Sequence, residues 1–386
     1  MKVLGLMSGT SADGVDAVLA DFSGRPSRPR WRILASAASP YPASLRQRLV
    51  AAGQGEALPA QDWLELAEAV TDAQAAAARA CDPTGQAELV GCHGQTVWHR
   101  PPEPGRPGAS WQLLLGPGLA QRLQRPVIFD FRSADLALGG QGAPLVPATD
   151  AALLGGVGGW RALLNLGGIA NLTLLPPASG QDRRRAVLGW DCGPANTLLD
   201  LAAQRFSAGA LSFDAGGAWA ARGQVEERLI NQWLQEPYFQ QHPPKSTGRE
   251  LFGGPDLERR LAQIQALIPD AGSTATDALA HNALATLTAF TAAVVAQDLA
   301  RGPRPLELLV AGGGARNQTL MAQLRRRCRG MAVRPLAELG IADDQREALA
   351  FALLAWWHQR RHRGSMPSVT GAPRASLLGL RAPVPG

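Results

Sequence analysis

Two stretches of this chain repeat one design, and the repeat limits what it can fold into. The first consists of Val3-Leu-Gly-Leu-Met7 and an apolar run over 15–22, flanking Ser8-Gly9-Thr10-Ser11-Ala12-Asp13-Gly14. Apolar segments on either side of a small-residue turn predict a β-hairpin with a long, glycine-containing loop. In the second, Leu163-Leu-Asn-Leu166 and Asn171-Leu-Thr-Leu-Leu175 flank Gly167-Gly168-Ile169-Ala170. One such hairpin in each half predicts two related lobes, and 386 residues that are 46% hydrophobic suffice for two cores. A third turn, Gly312-Gly313-Gly314-Ala315-Arg316-Asn317, follows an apolar strand over 306–310 and opens a helical pattern over 318–328. Ala- and Leu-rich helical stretches lie between the strands, so the class is α/β. The last strong helix is expected from Asp344, spaced as a capping box with Glu347, through Trp357. The tail after Gly364 reads either as an extended segment rejoining the body or as a frayed end.

Several function classes are disfavoured. The apolar stretch at 3–7 is too short for a signal segment, and Thr291-Ala-Ala-Val-Val-Ala296 is interrupted by Gln297 and Asp298. No run is expected to cross a bilayer, and a soluble, cytoplasmic protein with no membrane partner follows. Cys81, Cys92, Cys192 and Cys328 form no Cys-x-x-Cys pair, so neither a zinc site nor a disulfide framework is signalled. The net charge of +6 comes from arginine clusters such as Arg183-Arg-Arg185 and Arg325-Arg-Arg327. With no interleaved aromatics or groove-reading motif, these are solvated faces, and no nucleic-acid partner is expected.

Three turns built from Gly, Ser, Thr and Ala suit a polyphosphate, because small side chains let backbone N–H groups approach its oxygens. The first also offers the Thr10 and Ser11 hydroxyls and the Asp13 and Asp16 carboxylates, of which one need approach Mg2+, directly or through water. No Gly-x-x-x-x-Gly-Lys-Ser/Thr is present, and Gly312-x-Gly314 lacks a third glycine, so neither a P-loop nor a dinucleotide fingerprint is supported. Asp191, between an apolar run and Gly193-Pro194, fits a carboxylate held at a strand end facing a cleft, or a cap for a helix beginning near Asn196.

Taken together, Gly5-Leu-Met-Ser-Gly-Thr-Ser-Ala-Asp-Gly-Val-Asp16, Cys92-His-Gly-Gln-Thr-Val-Trp-His-Arg-Pro101, Asp130-Phe-Arg132, Gly139-Gly-Gln-Gly-Ala-Pro144 and Asn165-Leu-Gly-Gly-Ile-Ala-Asn171 resemble the anhydro-N-acetylmuramic acid kinases. The resemblance continues through Asp191-Cys-Gly-Pro-Ala-Asn196, Pro237-Tyr-Phe239, Pro243-Pro-Lys-Ser-Thr-Gly-Arg-Glu250, the Gly312 turn and Pro367-Ser-Val-Thr-Gly-Ala372. It implies two actin-like (ribonuclease H-like) lobes with an ATP cleft between them. The first would span 1–132, rejoined by a tail over 365–386, and the second 133–364. The implied cofactors are ATP and Mg2+, and the oligomeric state a homodimer. ATP is expected against Gly9, Thr10, Ser11, Ala12, Asp13, Gly14, Val15 and Asp16 at its phosphates, with Gly167, Gly168, Asn171, Gly312, Gly313, Gly314 and Asn317 completing the site.

The implied chemistry couples hydrolytic opening of a 1,6-anhydro bridge to phosphorylation of O6, with Asp191 as the base that takes a proton from water. Arg132, Asp135 and Gln141 would meet sugar hydroxyls and the lactyl carboxylate, or form a salt-bridged hinge. His93 and Gln95 would line the sugar side, or bond only backbone. The stretch Lys245-Ser-Thr-Gly-Arg-Glu250 would close over the ligand or form an ordered surface loop. Departures from the family pattern are Cys92, Trp190 and Thr149-Asp150, the last on the substrate side. Two alternatives stay open: a plain sugar-hydroxyl kinase, and an actin-like ATPase that acts mechanically.

Overall fold

The computed structural model describes residues 1–243, 245–248, 251–267, 272–342 and 344–385, with 272–276 as backbone. Its strands are β1 (Lys2–Ser8), β2 (Gly14–Arg25), β3 (Arg28–Pro40), β4 (Leu89–Arg100), β5 (Ala109–Leu113), β6 (Val127–Phe129), β7 (Arg161–Leu166), β8 (Ile169–Leu175), β9 (Leu188–Pro194), β10 (Glu307–Ala311), β11 (Ala332–Pro335) and β12 (Leu380–Ala382). They form a seven-stranded sheet, β12-β6-β4-β1-β2-β3 with β5 on β4, and a five-stranded sheet, β11-β10-β7-β8-β9. Both sheets contain an antiparallel meander (β1-β2-β3; β7-β8-β9) whose first strand also pairs in parallel with a later strand (β4; β10), itself parallel to another (β6; β11). The repeated hairpin is thus the start of a repeated topology, the two α/β lobes expected from sequence.

The chain divides into two compact units, Met1–Gly155 with Gly340–Gly386, and Gly156–Leu339. The division differs from one at 132/133: residues 133–155 and 340–364 belong to the first unit. The reason lies in the helix Arg346–Gln359, which is buried on nearly every side from Ala348 to Trp357 and needs a sheet to cover. It finds β1 and β4 at two glycines that are register partners, Gly5 and Gly91. A Cβ on Gly5 would lie 1.9 Å from the Ala348 carbonyl oxygen, and one on Gly91 2.3 Å from that of Phe351. By strand alternation the opposite face of β1 carries Leu4 and Leu6, which pack with Leu66, Val70 and Ala75 of the helix Ala60–Cys81. The tail closes the unit, with β12 antiparallel on β6.

The long helix of the second unit corrects the expectation that no run has the length to cross a bilayer. Asp277–Ala300 is long and apolar enough, and most of it is buried inside the protein. Its Leu287, Phe290, Val294 and Val295 belong to the core under β7-β8-β9. Gln297, expected to break an apolar run, donates from Nε2 to the Phe239 carbonyl at 2.8 Å. The helix Gln318–Arg327 begins where expected, capped by Asn317, whose side chain accepts from the Leu320 N–H at 2.9 Å. The capping box expected at Asp344 and Glu347 is not formed: the helix starts at Arg346 after Gln345, with no side-chain cap bond. All four cysteines are buried and free.

The backbone-to-backbone seat at Gly5 and Gly91 leaves no room for a methyl group. Gly5→Ala and Gly91→Ala should each destabilise the protein by about 3 kcal/mol or more, read as a lower urea midpoint. Gly139→Ala is no suitable control because its φ is +85°; Gly254→Ala, with open space around it, should leave the midpoint near wild type.

Candidate functional site

In the first unit the loop after β1 is braced from behind. Ser8 Oγ lies 2.8 Å from the Gly14 carbonyl and 2.5 Å from Gln95 Oε1, and Gln95 Nε2 donates to the Gly9 carbonyl at 3.0 Å. Gln95, 1% exposed and facing away from solvent, thus braces the start of the loop, and Ser8 ties that start to Gly14. Ala12 and Val15 are buried in the core, while Thr10 and Ser11 are exposed. A cavity of ≈ 390 Å³ opens over Gly9, Ser11, Asp13, Gly14 and Asp16, with Glu347 on its wall. Asp13 is engaged outward by Arg46 at 2.8 Å, an exposed pair. Asp16 is raised to about 6, first by burial, then by the charges of Asp344 and Glu347. Among the described residues no three His, Cys, Asp or Glu side chains converge as a metal-binding group; a lone half-buried carboxylate here suits a cation whose remaining ligands are phosphate oxygens and water, as for Mg2+.

Behind this cavity His93 is buried, and its Nδ1–H donates to the Gly94 carbonyl at 2.9 Å. That tautomer leaves Nε2 to accept from an Arg132 guanidinium nitrogen at 3.0 Å. Arg132 also donates to the Gly142 carbonyl at 2.7 Å, while its Nε is buried without a partner. Gly142 N–H in turn donates to Asp135 Oδ2 at 2.9 Å, and Thr370 Oγ1 to Asp135 Oδ1 at 2.8 Å. Asp135 is therefore a fully buried brace of the 139–142 loop, with both oxygens engaged, and not a group free to meet a sugar. Gln141 lies on that loop with its side chain exposed. The substrate-side departure Thr149-Asp150 resolves into a buried ion pair, Arg346 donating from Nε to Asp150 Oδ1 at 3.1 Å and from a second nitrogen to Oδ2.

In the second unit Asp191 sits on β9 opposite Asn171 of β8. Its Oδ1 accepts from Asn171 Nδ2 at 2.8 Å, and its Oδ2 from Ser246 Oγ at 2.9 Å and the Thr247 N–H at 3.1 Å. The alternative that it caps a helix is removed, because the helix Asn196–Phe206 has Ala195 at its N-cap position. Asn171, expected beside ATP, is a hydrogen-bond partner of Asp191. Of Pro243-Pro-Lys-Ser-Thr-Gly-Arg-Glu250, Pro244, Arg249 and Glu250 lie outside the described residues; Lys245, Ser246 and Thr247 frame Asp191.

The glycine turns of this unit meet. The Gly167 carbonyl accepts from Asn196 N–H at 3.0 Å and that of Gly168 from Ala195 N–H at 3.0 Å. Gly312, at φ +82°, passes so close to β7 that a Cβ would lie 2.8 Å from the Leu166 carbonyl. Beside them Gly313, Arg316 and Asn317 line a cavity of ≈ 310 Å³ with Asn196, Leu199 and the exposed ring of Phe213. The lining residues that sequence reasoning missed include Phe213 here and Glu347 in the first unit. Phe213 follows no spacing that marks it, and Glu347 was assigned to a helix cap.

Burial, and then the neighbouring Arg132 charge, push His93 down to about 3 from 6.5. Between those values the unfolded chain binds a proton that the folded one refuses. Stability should therefore fall as pH is lowered below 6.5, with a His93 contribution of up to about 1.4 kcal/mol per pH unit. Urea unfolding at pH 7 and 5.5 should show a smaller drop in His93→Gln than in wild type; an equal drop would remove this assignment.

The family model for anhydro-N-acetylmuramic acid kinase matches residues 1–384. An anhydro-N-acetylmuramic acid kinase of Synechococcus sp. (strain CC9902) is 62% identical over 385 residues, covering 98% of this chain and 99% of that protein. The enzyme of the same name from Prochlorococcus marinus (strain MIT 9303) is 61% identical, covering 99% of each. Among solved structures, the activator of the 2-hydroxyisocaproyl-CoA dehydratase from Clostridium difficile with bound ADPNP aligns at a TM-score of 0.42 and 13% identity, covering 94% of this chain and 96% of that one. With its full length matched by the family model and by relatives at about this identity, the chain belongs to the anhydro-N-acetylmuramic acid kinase family.

Proposed function

We propose that this chain is a cytoplasmic ATP-dependent kinase that opens the 1,6-anhydro ring of anhydro-N-acetylmuramic acid and phosphorylates O6, giving N-acetylmuramic acid 6-phosphate and ADP in cell-wall recycling. Beyond family membership, the observation that carries the reading is the Asp191 carboxylate, partly exposed and fixed by three donors from two directions. Those donors satisfy one or two lone pairs on each oxygen and leave capacity for a water proton.

In the proposed reaction Asp191 accepts a proton from water as the water oxygen bonds to the anomeric carbon. The bond from that carbon to O6 breaks, and O6 leaves with the electron pair. O6 then attacks the γ-phosphorus, and the bond to the ADP oxygen breaks. Water, sugar and ATP are thereby converted to the 6-phosphate, ADP and the proton held on Asp191. In the first unit the loop from Gly9 to Asp16 offers backbone and hydroxyl donors to the phosphates, and Asp16 and Asp13 are the groups that would hold Mg2+. Bound there, Mg2+ would offset phosphate charge. Arg132, with an unsatisfied Nε, is held by His93 and Gly142 as a donor for an anionic or hydroxyl group of the sugar. The cavity at Gly313, Asn317 and Phe213 suits adenosine, an aromatic face beside polar backbone.

With Mg-ATP, the protein should form ADP and the 6-phosphate from anhydro-N-acetylmuramic acid and not from the ring-opened sugar. Equal turnover of both would identify a plain hydroxyl kinase, and ATP hydrolysis indifferent to sugar a mechanical ATPase. Asp191→Asn should lower turnover by at least about 1,000-fold while ATP still binds with wild-type affinity in calorimetry; retained turnover would remove Asp191 from the chemistry.

A further inference from the structure

Beneath Asp191 lies a charged pair with no evident stabilising purpose. Lys245 Nζ and Asp298 Oδ1 are 3.0 Å apart, and both side chains are 1% exposed. Two charges withdrawn from water this completely gain little over apolar residues of the same volume. What distinguishes this pair is its connection to the base. The other Asp298 oxygen accepts from Trp190 Nε1 at 2.9 Å, and Trp190 immediately precedes Asp191 on β9. On the other side the Lys245 carbonyl accepts from the Asp191 N–H at 3.0 Å, and the next two residues hold Asp191 Oδ2.

One carboxylate therefore grips both pieces of chain that meet at the base. Tyr238 closes the frame: its hydroxyl donates to the Asp191 carbonyl at 2.7 Å, and Lys245 Nζ stands 4.9 Å from its ring centre. Arg301 approaches Asp298 only to 3.9 Å and is bonded to the Phe239 carbonyl. Residues 245–248 form no helix or strand, so without such an anchor nothing regular would fix Ser246 and Thr247.

We infer that Asp298 and Lys245 are positioning residues for the base, a buried anchor that sets Ser246 and Thr247 against Asp191 and so fixes its carboxylate orientation. The inference rests on Asp191 being the base. Its chemistry needs the carboxylate aimed at one water, and a misplacement on the order of 1 Å lowers such a rate by roughly 100-fold.

The experiment measures melting temperature, single-turnover ADP formation with anhydro-N-acetylmuramic acid, and ATP affinity in four variants. Lys245→Met leaves a buried carboxylate without its ammonium partner and should lower Tm by roughly 10 °C. Adding Asp298→Asn removes that charge while keeping an acceptor for Trp190, so Tm should return toward wild type. The single-turnover rate of this double variant should stay about 100-fold low, with ATP affinity unchanged. Ser246→Ala, an exposed change that spares the fold, should lower the rate about tenfold, the loss of one charge-assisted hydrogen bond. A wild-type rate in the refolded double variant, or in Ser246→Ala if the double variant does not fold, would show that the pair serves stability alone and overturn the inference. Asp191→Asn, the fourth variant, separates the two levels: wild-type turnover there would defeat the underlying assignment of the base, whereas its loss beside a fully active double variant would defeat only the anchor.

Discussion

The seat of the helix Arg346–Gln359 on Gly5 and Gly91 is the constraint from which the first unit is built. Two register-matched glycines remove the side-chain layer that normally separates a helix from a sheet, and the helix backbone comes down onto β1 and β4. That depth sets where the helix N-terminus emerges. Glu347 reaches the wall of the cavity at the end of β1, beside Asp16, and Arg346 turns inward to Asp150. An ordinary packing distance would lift both charges away from the loop they border. The same contact makes residues 340–364 part of the first unit, although 184 residues of another unit intervene in the chain.

How much of this was legible in the sequence depends on how local the signal was. The hairpins at 3–22 and 162–175 were readable because strand, turn and returning strand lie within about twenty residues, and the register of β1 on β2 and β7 on β8 follows directly. The helix opening at Gln318 was equally local. The partners of Asp191 were not, since Asn171 is 20 residues away, Ser246 55 and Thr247 56. No periodicity links them; only the pairing of β8 with β9 and an irregular segment do. Glu347 was misplaced for the opposite reason, a local pattern that fitted too well. Its spacing from Asp344 satisfies a capping box, but the helix begins two residues later and leaves the carboxylate to the cavity.

His93 and Gln95 show why a family motif does not disclose the role of each member. Cys92-His-Gly-Gln-Thr lies on β4, parallel to β1, so its side chains come up behind the loop that follows β1. Gln95 spends both ends of its amide on Ser8 and Gly9, and His93 is neutral and used as an acceptor for Arg132. Either residue could have met a sugar on sequence grounds. Burial decides otherwise, because a side chain 1% or 3% exposed and already bonded within the unit has no surface left for a ligand.

Both units hold a group assigned to chemistry by polar contacts that reach into the interior. Arg132 is fixed by a neutral histidine and by a carbonyl that Asp135 and Thr370 tether, and Asp191 by a segment anchored on Lys245 and Asp298. An apolar core could support these groups with less desolvation, but it would not direct them: dispersion contacts are short-ranged and nearly isotropic, whereas a hydrogen bond fixes both distance and angle. Such buried networks hold a carboxylate or guanidinium in its working orientation before substrate arrives, so that little reorganisation remains for the transition state. On the proposed assignment of Asp191 as the base, the desolvation of Lys245 and Asp298 is the condition for aiming a carboxylate that lies nearer the surface.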